Sequence, residues 1–397
     1  MPPPLDVLLV LRAFAELYPP TVNQANLLAE AGLQVGVLDL AVEGVNSALN
    51  PAVRRFRSHR WWNSKNEAAP SFFQRAANLW KFRQTTKTTI SENRPHVIIA
   101  YDILAAAFVR PQPHCFKTVY HFHELPEPDP REGFGSKRER AKTASFSLQA
   151  DLVVFSDAMR AKVYQEQVAL REFPKVVMNC PRRLAQIPKS PLRQEIAAIG
   201  FPNARAICYL GSIGLDQGIL PAISSMRYWP DDAVFVLIGK CSDEMRQRIL
   251  ANATEVSTEK RVLFLGSRPH VEAMALIAGG DLGLSLIQPN TQNWRYSAGA
   301  INKRFEYMAL GLPQVSSNGP GVAAIIEDGR CGICVDPNQP EAIGQAVRRL
   351  LDNEGLRRQL STNARTAHLD RFNYECQFTG VQNWIRTACS EDMGRAS

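Results

Sequence analysis

Short apolar runs alternate with longer stretches of helical spacing along the whole chain. In the first half, residues 5–11, 34–40, 96–101, 116–122, 151–156 and 175–178 read as strands, nearly continuous in apolar character as in a sheet covered on both faces. Between them, 23–31, 71–93 and 137–149 read as helices. Residues 12–21 and the Pro- and Gly-punctuated 127–135 read as loops, and 43–69 as irregular, polar and basic. The alternation restarts with strands at 206–210, 233–238, 262–265, 282–286, 314–316 and 331–335, then helices at 341–351 and 354–371. Strand and helix in turn predict an α/β fold with a doubly wound parallel sheet in each half. Residues 180–203 hold four Pro and weak periodicity, so the expected division is 1–180, a linker at 181–204, and 205–372. An amphipathic segment, 373–397, is expected to pack back toward the first domain.

The stretch 297–317, SAGAINKRFEYMALGLPQVSS, has the sharpest pattern. Phe305, Met308, Ala309 and Leu312 recur at i, i+3, i+4 and i+7, one apolar stripe of a helix that Gly311 and Pro313 stop. Lys303 lies nearly opposite the stripe and Glu306 on its flank. A Lys in a first helical turn sits at the positive end of the dipole, a cost that a bound anion removes. Gly299 upstream lets backbone amides approach a phosphate. On spacing alone two readings stand: an anion site at the helix start, or a surface Lys303–Glu306 pair worth ~0.3 kcal/mol.

Bulk properties narrow the class. A chain of 397 residues with 45% hydrophobic and 21% charged residues fits two soluble globular domains. The apolar runs are of strand length, short of a membrane span. The N-terminal run has no basic start and no small-residue cleavage site, and reads as a first strand. Eight scattered Cys suit a reducing cytoplasm, and Cys331 and Cys334, the one CxxC, fall on opposite faces of a strand. The net charge of +8 is concentrated early. Arg54, Arg55, Arg57 and Arg60 stand beside Trp61 and Trp62, a segment that reads either as a contact to anionic membrane or as a solvated loop. Lys137, Arg138, Arg140 and Lys142 follow. No nucleic-acid motif is present.

The segment NKRFEYMALGLP, 302–313, resembles the nucleotide-sugar-binding helix of glycosyltransferase family 4, in the subgroup reading Pro-Asn-Lys-x-x-Glu-Tyr-Met-Ala-x-Gly-x-Pro. Likeness spans nearly the whole chain, strong over 209–372 and weaker in AYDILAAAF (100–108) and VYHFHEL (119–125). It implies the GT-B fold: two Rossmann-like doubly wound domains facing across a cleft, with the nucleotide in the second. By the resemblance, Glu306 holds the ribose hydroxyls and Lys303 reaches the diphosphate. His123 faces the donor sugar, and Glu124 orients that His or binds acceptor hydroxyls. His121 shares its face, and the sequence does not separate the two. Gly211, Ser212, Gln217, Gly239, Ser267, Arg268, Arg295, Gly299 and Ala300 complete the implied donor contacts.

Two departures matter. Where the family commonly has Gly-Arg-x4-Lys-Gly, this chain has GSIGLDQG, 211–218, with neutral Ser212 and Gln217. Ala298 also stands where a first Glu often precedes Glu306 by eight residues. Lys303, with Arg295 or Arg304, is left to compensate the diphosphate beside backbone amides. Asp231-Asp232 precedes a strand and does not match the Asp-x-Asp metal motif of the other large glycosyltransferase class, so no metal and no cofactor is expected beyond the co-substrate. The resemblance thus implies a cytoplasmic, metal-independent, retaining hexosyltransferase. It moves sugar from a nucleotide-diphosphate sugar to a glycan, lipid-linked or small-molecule acceptor, with domain closure excluding water. A nucleotide-sugar epimerase or a phosphorylase on the same scaffold is the first rival, and an epimerase would need no acceptor. A non-catalytic nucleotide-sugar-binding partner, which the neutral Ser212 and Gln217 favour, would bind without turnover.

Overall fold

Both sheets are built from the apolar runs. A computed structural model describes residues 3–40, 47–58, 71–112, 114–128 and 132–393. It divides into two units, Met1–Met178 with Gln377–Ser397, and Asn179–Cys376.

In the first unit seven strands form one sheet: β1 Val7–Val10, β2 Val35–Leu40, β3 Arg54–Ser58, β4 Val97–Tyr101, β5 Lys117–Phe122, β6 Leu152–Phe155 and β7 Lys175–Val176. The order is β3-β2-β1-β4-β5-β6-β7, and every neighbouring pair is parallel. The helices are α1 Pro19–Glu30, α2 Phe72–Asn93, α3 Asp102–Ala106, α4 Phe134–Ser147 and α5 Ala158–Val168. β1 and β4 are buried at every position, because both faces of a parallel sheet are covered. α2 opens on a capping box: Ser71 Oγ accepts from the Gln74 amide, and Gln74 Oε1 accepts from the Ser71 amide.

Two expectations fail here. The loop expected over 12–21 is already helical from Pro19, since prolines in a first turn lack only an N–H that has no partner there. The segment expected to be irregular contains β3, an edge strand in parallel register with β2 from Gly36↔Arg54 to Leu40↔Ser58. Its RRFRS sequence hid it, because an edge strand tolerates charge that a central one does not. Arg55 is consumed internally. Its guanidinium donates to both Asp39 oxygens and to Glu16 Oε1 and Oε2, at 2.7 and 2.8 Å. Arg54 donates to the Pro3 carbonyl and to Asn93. Of the four arginines read as a membrane contact, only Arg57 is described as exposed; Arg60, Trp61 and Trp62 lie outside the described residues.

The second unit carries β8 Arg205–Leu210, β9 Ala233–Ile238, β10 Val262–Gly266, β11 Leu282–Ser285, β12 Gln314–Ser317 and β13 Gly332–Val335. They form a parallel sheet in the order β10-β9-β8-β11-β12-β13. That is the order of a Rossmann-like doubly wound sheet, whose switch point lies between β8 and β11. The helices are α6 Leu192–Ala198, α7 Ile219–Ser225, α8 Asp243–Glu255, α9 His270–Ile277, α10 Gln292–Arg295, α11 Asn302–Ala309, α12 Val322–Gly329, α13 Pro340–Asp352 and α14 Glu354–Asp370. The expected linker therefore contains α6, whose Leu192 and Ile196 are wholly buried in the core of this unit. α15, Tyr374–Met393, follows. No helix among the described residues is long and apolar enough to cross a membrane.

α11 is locked onto the sheet by Tyr307. Its hydroxyl lies 3.2 Å from the Cys208 carbonyl, 3.1 Å from the Leu284 carbonyl and 3.3 Å from the Leu210 amide. The ring crosses β11 at Gly283, where a Cβ would stand 2.4 Å from it. The firmest test of the first unit is Arg55→Met. Removing one partner strands the buried Asp39 carboxylate, so unfolding in urea should show a loss of about 3 kcal/mol. An unchanged midpoint would show that the Arg55 cluster does not hold β3 in place.

Candidate functional site

In the second unit the candidate site stands at the carboxyl end of β8. The chain leaves the strand at Gly211, and Gly239, after β9, packs so close that a Cβ there would lie 1.8 Å from the Gly211 carbonyl oxygen. α11 delivers Lys303 to this turn. Its Nζ is 2.8 Å from Tyr209 Oη and 2.8 Å from Gln217 Oε1, and lies 4.0 Å from the Tyr209 ring centroid, a cation–π distance. Tyr209 Oη in turn donates to the Ser212 carbonyl at 2.6 Å. Lys303 is 7% exposed and forms no ion pair among the described residues. Burial, only partly offset by Glu306, lowers its pKa to about 7. The surface Lys303–Glu306 pair does not form, for both residues are buried. The Glu306 carboxylate instead meets His270 Nε2 at 2.7 Å, a bond that raises the His270 pKa.

The start of α11 is prepared for an anion. No side chain caps it, so its first amides have no side-chain acceptor. The loop before it is held from two sides. Asn179 donates from its amide to Gly299 O (2.8 Å) and from Nδ2 to Ala300 O (3.0 Å). Arg304 Nη1 donates to Ser297 O (3.1 Å) and Ala298 O (2.7 Å). Arg304 is wholly buried, so it clamps the loop and is not the helper cation that the sequence offered. Arg295 is exposed on α10 beside the Tyr296 ring. Ser267 and Arg268 are exposed on the loop leading to His270, and Arg268 lies 3.9 Å from Glu195. Ser212 is exposed as well, so its carbonyl is the part that joins the cluster.

In the first unit a second cluster follows β5. The His123 amide donates to Asp102 Oδ1 at 2.8 Å, and its Nδ1 lies 3.0 Å from Asp102 Oδ2. Its ring stacks on Tyr101 at 5.3 Å with planes 10° apart. Ser156 Oγ and Arg160 Nη1 both donate to its carbonyl. Nε2 is buried and has no hydrogen-bond partner among the described residues. His121 differs. Gln24 Nε2 lies 2.8 Å from its Nδ1, and complete burial pushes its pKa well below the ordinary value, so it is a neutral core histidine. Glu124 is exposed, and its amide reaches Asp102 at 3.3 Å. Asp102, not Glu124, is the residue placed to orient His123.

Residues 193–367 match the family model Glycosyl transferases group 1. By that match the segment is similar to glycosyl transferases group 1. Alpha-D-kanosaminyltransferase of Streptomyces kanamyceticus is 28% identical over 186 residues, 46% of this chain and 45% of that protein. The chain matches about half the length of such curated relatives. Whole-chain likeness is seen in structures. Sucrose-phosphate synthase from Thermosynechococcus elongatus superposes with a TM-score of 0.74 at 16% identity, over 98% of this chain and 99% of that one. Anabaena HepE, solved in complex with UDP and glucose, superposes with a TM-score of 0.72 at 17% identity, over 96% and 99%. At such identity these two likenesses establish the GT-B fold alone.

Within the second unit, Gly211, Gly239, Gln217 and Lys303 come together. Gly299 and Ala300 precede α11 in the chain, and Glu306 follows Lys303 one turn along it. Sequence reasoning missed Tyr209, Asn179 and His270 in the second unit, and Asp102 in the first. Asp102 had a signal in the sequence, an acid directly after a buried strand, and the structure holds it at φ 52° in the left-handed region. Tyr209 looked like any core strand residue, while His270 opens α9 and Asn179 sits in a loop, and no local pattern encodes the pairing of either. With Asp102 accepting from Nδ1–H, ¹⁵N NMR of neutral His123 should show the Nδ1–H tautomer, and Asp102→Ala should shift it toward Nε2–H. An unchanged tautomer would remove Asp102 from that role.

Proposed function

We propose that this protein is a retaining glycosyltransferase that moves a sugar from a nucleotide-diphosphate sugar to a glycan, lipid-linked or small-molecule acceptor. The observation that carries the reading is Lys303: a buried ammonium without a carboxylate partner among the described residues, beside an uncapped helix start. A diphosphate there would answer both the unpaired cation and the open amides. Glu306 would take the ribose hydroxyls in exchange for His270, and His123 Nε2 would accept from a sugar hydroxyl. Glu124, being exposed, is assigned to acceptor hydroxyls. The solved complexes of Anabaena HepE with UDP and with UDP-glucose support a nucleotide sugar as donor.

Charge on the leaving diphosphate grows as the sugar bond breaks, so a cation beside it lowers the barrier more than it tightens binding. Gln217 fits this reading. A second ammonium in its place would stand against Lys303 Nζ, so a neutral side chain suits a cluster with one cation. The reading needs no metal ion, because Lys303 and the amides meet the charge.

The test is turnover. The full chain is supplied with a panel of nucleotide-diphosphate sugars and acceptors, nucleoside diphosphate release is followed, and the anomeric configuration of the product is read by NMR. Lys303→Ala should lower kcat roughly a hundredfold, about 2.7 kcal/mol on the barrier. Gln217→Lys in that background should restore part of it, because it returns an ammonium to the same spot. A near-normal kcat in Lys303→Ala would place the diphosphate elsewhere. Nucleotide binding with no turnover of any donor would favour the non-catalytic reading to which neutral Ser212 and Gln217 also point.

A further inference from the structure

We propose that the first unit carries a second ligand site, for an amphiphile with a phosphate-bearing head and an apolar chain, far from His123. A cavity of about 740 Å³ opens between the second half of α2, the segment 107–116 and the second half of α4. Arg83, Lys87, Arg94, Arg110 and Lys142 surround it, and no Asp or Glu lines it among the described residues. None of the five forms an ion pair among the described residues. All five are exposed, so their mutual repulsion is softened by water, and an anion bound among them turns five like charges into favourable partners.

The floor sets the rest of the ligand. Phe108, Phe116 and Phe146 line the cavity beside the cations. A small hydrophilic anion would leave that apolar wall unused, whereas an acyl or polyprenyl chain fills it. The outer face of α2 continues the pattern. Phe73, Trp80 and Lys87 follow one another at seven-residue spacing, so they share one stripe, and Arg94 caps the helix end. Phe73 is 82% and Trp80 61% exposed. Aromatics leading to a cationic recess along one helix suit a lipid–water boundary.

Position excludes the transfer chemistry. The cavity takes in Phe116, at the amino end of β5, while His123 follows the carboxyl end. The six residues of β5 span about 20 Å at ~3.3 Å each. A headgroup held here is thus not the group that meets His123, and the site holds the protein to its amphiphile rather than presenting an acceptor for reaction.

Two arms distinguish membrane lipid from a free amphiphile. In the first, the full chain is sedimented with phosphatidylcholine vesicles containing about 30% phosphatidylglycerol, and with phosphatidylcholine alone. Binding is expected only to the anionic vesicles. The variant Arg83→Glu/Lys87→Glu/Lys142→Glu, all at exposed positions, should lose it by more than about tenfold while keeping the wild-type thermal midpoint. In the second, monomeric dihexanoyl phosphatidate should protect Cys115, which lines the cavity, from alkylation in the wild type and not in the variant. Protection without vesicle binding assigns the site to a free amphiphile. Failure of both arms overturns the proposal, as does equal binding by the variant. Equal protection of Cys115 by inorganic phosphate overturns the apolar half of the site.

Discussion

The second unit is organised around an ammonium group that forms no ion pair among the described residues and is only partly compensated by Glu306. Lys303 is buried by the packing that fixes α11, and its Nζ finds only the neutral oxygens of Tyr209 and Gln217 and the face of an aromatic ring. Burial of that kind disfavours the charged form, and the pKa falls to about 7. The protein therefore keeps a cation near its point of neutralisation, ready to be stabilised by whatever anion enters. The surrounding rigidity serves this arrangement. Tyr307 bolts α11 to the ends of β8 and β11, while Asn179 and Arg304 hold the loop that leads into the helix.

His123 illustrates the same economy of charge in the first unit. Asp102 takes one ring nitrogen, Tyr101 stacks on one face, and the backbone of His123 is pinned through its carbonyl. What remains is a single ring nitrogen without a partner among the described residues. His121, within β5 two residues earlier, shows the contrast, because Gln24 and full burial make it a core residue.

Much of this was legible in the sequence, for reasons that particular residues explain. The apolar runs located the central strands because those strands are buried on both faces, and the spacing of Phe305, Met308, Ala309 and Leu312 located α11. The same rule failed for β3, whose edge position permits RRFRS, and for α6, where proline density concealed Leu192 and Ile196 as core residues. Site residues followed a similar division. The motif named Lys303 and Glu306, and periodicity put them off the apolar stripe. It did not reveal that both are buried, nor that each has a partner from elsewhere in the chain, Tyr209 and His270. Arg304 looked like a ligand cation and is a structural clamp, since its direction depends on where the loop before it folds.

The central claim is that Lys303 receives the negative charge of the diphosphate, and proton linkage tests it most directly. Calorimetry of UDP binding at pH 8, in buffers of different ionisation enthalpy, reports the protons taken up. With a free-state pKa of about 7, Lys303 is only about one-tenth charged at that pH, and a phosphate beside it restores the charge. The account predicts uptake of nearly one proton by the wild type and none by Lys303→Met, with weaker binding by the variant. UDP binding of equal affinity in the two proteins, with the same proton uptake, would contradict it.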